Sequence, residues 1–196
     1  MATKKNKDPD YSKIAKLIEK ALGKNSDKQL IDKKELQKLK NDKRRIDVIN
    51  ADVILDGALK NLFCELHFSK KDKQVDKLFE PSIGGPLVSL THKARLAYAL
   101  GLIDKTLLND LEIIHKIRNE FAHSLEADFA GAKLLEHVKK LSMVNGQKIT
   151  ATNSYKLYQQ TVFESITSLG KAINQAVYRR AAHEELKKIN KRVKAN

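Results

Sequence analysis

Apolar residues recur three and four positions apart in three long stretches of this chain, and almost nothing breaks them. Between 46 and 66, Ala51, Leu55, Ala58, Leu59, Leu62 and Leu66 fall on one face at about 100° per residue, with Asp52 and Asp56 at its border. Between 105 and 123, Leu107, Leu111, Ile114 and Phe121 do the same, and from 155 onward so do Tyr155, Tyr158, Val162, Ile166, Leu169, Ile173 and Val177. A strand would need a period of two, which none of these has. Eight Gly and three Pro in 196 residues leave few points where a helix must stop. The pattern predicts an all-α fold, a single-domain helical bundle with a long C-terminal helix and a basic N-terminal helical arm. A chain of this length buries a full core without a staple, and Cys64 alone offers no disulfide framework.

Local signals set the expected boundaries. Residues 1–10 read as disordered. A helix is expected from Ser12 to Leu22, stopped by Gly23, and another from Ser26 or Asp27 to about Lys40. The body then begins near Arg44. Residues 69–85, with Pro81 and Gly84-Gly85, are a connection with some helix in it. Pro86 suits the first position of a helix reaching Leu100, with Gly101 as its stop. Asp104 caps a helix over 105–123. Asp128 opens a shorter one to about Leu141, and Asn145-Gly146 marks a turn. The last helix starts at Asn153 or Ser154 and runs to about Arg192. Its apolar stripe, ending at Val177, is most simply core, with a dimer seam as the sharper alternative. The domain reading is an arm (1–44), a bundle (45–178) and a basic helical extension (179–196).

Charge is distributed unevenly. Of the net +14, residues 1–45 hold +8 (15 Lys/Arg against 7 Asp/Glu) and residues 179–196 hold +5 (7 against 2). The stretch 46–178 is near neutral, with 16 against 15. Basic ends favour phosphate backbones or anionic surfaces, so nucleic acid, DNA or RNA, is the expected partner. Arg44, Arg45, Arg179, Arg180, Lys187, Lys188, Lys191 and Arg192 are the candidate contacts. The bland reading, a solvated arm and tail, stands beside it. Few aromatics interleave with these cations, so base stacking is not signalled.

The segment 118–123, Arg-Asn-Glu-Phe-Ala-His, carries the sharpest candidate chemistry. With Leu107 at zero, Arg118 lies near +20°, inside the apolar stripe. Asn119 and His123 lie near 120° and 160°, on a polar strip that also holds Glu112 and His115. A buried guanidinium needs a carboxylate. Asp56 and Asp52 are the candidates, and a planar fork held by Asp56 would clamp two core helices. The functional alternative keeps the same residues for catalysis. There Arg118 stabilises a pentavalent phosphate, His123 acts as general acid or base, and Asn119 orients it.

Two resemblances meet here. Asp56 after Ile54-Leu55, Gly85-Pro86-Leu87, the run Ala94-Arg95-Leu96-Ala97-Tyr98-Ala99-Leu100-Gly101-Leu102-Ile103, Asp110-Leu111 and Ile117 through His123 resemble the mannitol operon repressor (MltR) family over about 45–140. The resemblance implies a helical bundle, bacterial origin and a transcriptional regulator of repressor class. That family has no obvious helix-turn-helix, and none is visible here. The spacing Arg118-Asn119-x-x-x-His123 is also similar to the motif of HEPN-domain ribonucleases, small helical bundles that commonly dimerise. It implies a metal-independent, toxin-like endoribonuclease with Arg118, Asn119 and His123 in the site. A protein-interaction module with a protein partner is the third reading, and a homodimer is expected.

The remaining chemistry is weak. Glu112 and His115 share a face without a second His/Cys cluster, so no metal site is expected. His67, His92, His137 and His183 are scattered. Gly84-Gly85-Pro86 reads as a loop entering a helix. No P-loop, Rossmann fingerprint or nucleophile elbow occurs, and no cofactor is expected. No signal peptide or apolar run of roughly 20 residues is visible, so a cytoplasmic protein with no membrane role is expected.

Overall fold

A computed structural model describes residues 33–66 and 73–195. Six α-helices make up most of it: α1 (Lys33–Leu66), α2 (Lys73–Leu78), α3 (Leu90–Ala99), α4 (Lys105–His123), α5 (Ala132–Val138) and α6 (Ser154–Ala195). Short 3-10 turns at Pro81–Ile83 and Ser142–Val144 complete the set, and no strand occurs among the described residues. The fold is all-α, as the spacing requires. The expected helix over 12–22 lies outside the described residues, as do His67 and the start of the second expected helix.

The contacts divide the chain into two units, 1–40 and 41–196. In the first, the described part is the start of α1, where residues 35–40 are exposed. The helix α1 is assigned from Lys33 to Leu66, and nothing between Lys33 and Arg45 is a breaker.

In the second unit, Val48, Ala51, Leu55, Leu59, Leu62 and Phe63 of α1 are buried. They form one core with Leu90, Ala94 and Ala97 of α3, with the apolar face of α4, and with Leu157, Tyr158, Leu169 and Ala176 of α6. Phe129 packs against Phe121, Tyr155 and Tyr158, each ring centroid at 5.2 Å, and ties the loop after α4 to α6.

Three caps behave as expected. Asp104 accepts from Leu107 N–H at 2.8 Å, Gly101 stops α3 with φ of 67°, and Asn145-Gly146 turns with both φ positive. Two starts differ. Pro86 is not the first residue of α3: Ser89, whose hydroxyl accepts from His92 N–H at 3.2 Å, is its cap. Gly85 is needed just before it, since a Cβ there would meet Lys77 O at 2.5 Å. Asp128 does not open α5, which starts after Gly131; its carboxylate is held by Arg44.

The apolar stripe read on α6 is rotated from the face that packs. The buried line runs through Ser154, Leu157, Tyr158, Thr161, Ser165, Leu169 and Ala176. Its small hydroxyl residues let α6 approach closely, and Thr161 returns its hydroxyl to Leu157 O at 3.0 Å. Val162 and Ile166 are left at the edge and Val177 is exposed.

Candidate functional site

Arg118 lies on α4 one turn after His115, and both face Asp52 of α1. His115 Nδ1 stands 2.9 Å from Asp52 Oδ1, and Arg118 Nε stands 3.7 Å from Asp52 Oδ2. Arg118 also donates to Asn119 Oδ1 at 3.1 Å. Asp52 is buried, whereas Arg118 keeps 35% of its side chain in contact with solvent. Its Nε is shielded and makes no hydrogen bond, so the interaction with Asp52 is an offset ion pair and not a bidentate fork. The phenol of Tyr158 is buried beside them; burial first and the Asp52 charge second push its pKa up, so it stays protonated.

The expected Arg118–Asp56 clamp is corrected by this geometry. Asp56 is taken by Lys93 of α3 at 2.5 Å. Lys93 is 2% exposed, donates also to Val88 O at 3.1 Å and lies 5.8 Å from the Phe79 ring centroid. One helical turn, about 5.4 Å of rise, separates Asp52 from Asp56. That turn decides which helix each carboxylate serves: Asp52 serves α4 and Asp56 serves α3. Sequence reasoning missed Lys93, although the signal was present, since it falls on the same stripe as Leu90, Ala94 and Ala97.

His123 is exposed at the last turn of α4 and takes part in none of these bonds. The histidine that meets the Arg118 cluster is His115. An Asp-oriented imidazole can hold or pass a proton. Glu112, its neighbour in the sequence reading, is instead paired with Arg95 at 2.8 Å. Among the described residues, no group of three or more His, Cys, Asp or Glu is placed to hold a metal ion.

Arg44 and Arg45 are engaged within the body and not presented as a free basic patch. Arg45 donates to Phe121 O, and to Ser124 O and Leu125 O at 2.9 Å each. It thereby takes one carbonyl left free by the last turn of α4, that of Phe121, and two of the loop that follows. Arg44 binds Asp128 at 3.1 Å and lies 5.1 Å from the Tyr155 ring centroid. Both arginines fix the loop after the motif helix.

The other end of the chain contrasts with this. From Tyr178 to Asn190 every residue of α6 is exposed. Arg180 reaches Glu65 at 3.6 Å and Glu184 at 3.3 Å, and Lys188 reaches Glu185 at 2.6 Å. Arg179 and Lys187 face solvent. The side chains of Lys191 and Arg192 lie outside the description.

Two depressions flank α6. A polar cavity of about 260 Å³ is lined by Asp104, Asp110, Ser142, Glu164, Ser165 and Lys171, among others. There Asp110 accepts from Ser142 N–H at 2.9 Å and from its hydroxyl at 2.5 Å, and burial raises its pKa. An apolar groove of about 330 Å³ lies between α1 and α6, lined by Ala51, Ile54, Tyr158, Val162, Phe163 and Ile166, with others. No helix among the described residues is long and apolar enough to cross a membrane.

No curated protein matches the chain. Among solved structures it is similar to a chain in the X-ray structure of the MtlR–HPr complex from Escherichia coli. The identity is 26% and the TM-score 0.45, covering 68% of this chain and 89% of that one. The family model described as Mannitol repressor, MtlR, matches residues 33–179, from the start of α1 to the first exposed arginine of the extension. The chain belongs to the mannitol repressor (MtlR) family.

Proposed function

We propose that this protein is a transcriptional regulator of repressor class that acts by contact with other macromolecules, with its C-terminal extension as the nucleic-acid contact. Family membership supports the class. The observation that carries the contact is the state of the cations. Four cations of the body, Arg44, Lys93, Arg118 and Arg45, are engaged by Asp128, Asp56, Asp52 and the carbonyls at and after the end of α4. The extension presents a net +5 over 179–196, with Arg179 and Lys187 in solvent. Such a surface binds phosphates electrostatically, with little sequence preference.

Homodimerisation belongs to the same reading. Ile46, Val53, Ile54 and Phe163 are more than half exposed around the apolar groove of the near-neutral body. A second copy would cover it without charge repulsion. The ribonuclease reading draws less support. Arg118 shares Asp52 with His115 and is hydrogen-bonded to Asn119, while His123 stands apart at the helix end.

Binding to a DNA duplex titrated between 50 and 200 mM salt tests the proposal. The full chain is expected to lose affinity steeply with salt, and deletion of 179–196 is expected to flatten the slope by several charges. Absent or salt-insensitive binding overturns it.

A further inference from the structure

The extension carries a second pattern that its charge conceals. Tyr178, Ala182, Leu186, Ile189 and Val193 are spaced by four, four, three and four residues. On a helix they lie within about 80° of one another. None is covered: Tyr178 is 76% exposed, Leu186 57%, Ile189 51% and Val193 70%, and Ala182 is exposed as well. The last four follow a heptad d-a-d-a order, the seam that another helix fills. This stripe is separate from the one that packs, because the core face of α6 ends at Ala176.

The residues beside the stripe select the occupant. Arg179 borders the stripe on one side and Glu185 on the other, Lys187 lies further round the helix, and the extension as a whole is net +5. A second copy would bring +5 against +5 over only four apolar layers. A phosphate backbone would use the cations and leave the leucine and isoleucine in water. An acidic amphipathic helix satisfies both features, filling the seam with apolar residues and facing the cations with carboxylates. We propose that the stripe of Tyr178, Ala182, Leu186, Ile189 and Val193 forms a docking site for an acidic amphipathic helix of a partner protein. The inference does not depend on nucleic-acid binding by the same extension.

The test uses the full chain and a labelled synthetic helix with Leu at a and d and Glu at e and g. Its own like charges oppose self-pairing. Fluorescence anisotropy is expected to show saturable binding. The charge-neutral double substitution Leu186→Gln/Ile189→Gln is expected to weaken it about tenfold or more. A scrambled peptide of identical composition is expected to bind at least tenfold more weakly than the heptad one.

Three results overturn the proposal: no binding of the heptad peptide, equal binding of the scrambled peptide, or equal binding by the double variant. So does sedimentation of the parent as a dimer that the double variant abolishes, which makes a second copy the occupant. DNA affinity that falls tenfold in the double variant overturns it too, since the stripe then serves nucleic acid. Stripe-dependent peptide binding without any duplex binding leaves this inference standing and removes the nucleic-acid reading above.

Discussion

Arg118 on α4 and Arg179 on α6 each sit beside an apolar stripe, and their surroundings differ in kind. Around Arg118, the stripe of α4 is buried and the charges of three helices are matched: Asp52 with His115 and Arg118, Asp56 with Lys93. Around Arg179, the stripe faces solvent together with Arg179 and Lys187, while Arg180 and Lys188 pair with glutamates at the surface. The first region has the chemistry of a motif but the bonding of a clamp. The second matches no motif, yet its apolar stripe and the cations Arg179 and Lys187 have no partner among the described residues. What a surface has left unsatisfied is the better guide to contact than the residue types it contains.

That contrast breaks if substitutions in the interior leave stability unchanged. The largest effect is expected at Asp56→Ala, which leaves the buried Lys93 ammonium with Val88 O and the face of Phe79 and without a counter-charge. Breaking a fully buried pair costs about 3–5 kcal/mol. Asp56 is about one-third exposed, so roughly 2–3 kcal/mol is expected, read from the shift of the urea midpoint at constant slope. A loss below about 0.5 kcal/mol would place Lys93 among ordinary surface cations.

Next comes Arg45→Ala. It strips Phe121 O, Ser124 O and Leu125 O of a shared charged donor. These carbonyls lie at a surface and can turn to water, so about 1–2 kcal/mol is expected. Hydrogen exchange sharpens the point: protection of the last turn of α4 should fall more than that of its middle. The neutral changes at Leu186 and Ile189, by contrast, should leave the urea midpoint of the body where it is.

The legibility of the fold in the sequence follows the same division. The helical period reached α1, α4 and α6, because burial of one face writes directly into the spacing of apolar residues. Caps such as Asp104 and Gly101 were legible because each serves a local backbone need. The partner of Arg118 was not, since Asp52 and Asp56 border the same helical face and only the crossing of α3 and α4 over α1 distributes them. Arg44 and Arg45 looked like free cations for a related reason: their partners, Asp128 and the carbonyls after Phe121, are more than 70 residues away. The packing face of α6 was misplaced because Ser154, Thr161 and Ser165 are buried hydroxyls that a hydropathy pattern counts as solvent-facing. The stripe from Tyr178 to Val193 was open to the same phase argument, but the density of Lys and Arg masked it.

The smallest expected effect tests whether every interior charge is a clamp. Asp110 is buried and bonded twice by Ser142, yet burial outweighs those bonds and holds its pKa above the usual 3.8. A carboxyl whose folded pKa is raised binds its proton more tightly folded than unfolded. Its favourable contribution is therefore full below 3.8 and is lost as pH rises through the raised folded value. At neutral pH the ionised group is a net burden on the fold. Asp110→Asn keeps an acceptor for Ser142 N–H and removes the charge. It is expected to stabilise the protein at pH 7 by under about 1 kcal/mol, with the advantage vanishing as pH falls below 3.8. Denaturant midpoints of parent and variant at pH 7 and in acid read the difference directly. A variant less stable than the parent at pH 7 would mean that Ser142 holds the carboxylate more strongly than burial opposes it. Asp110 would then join Asp52 and Asp56 as a matched charge of the interior.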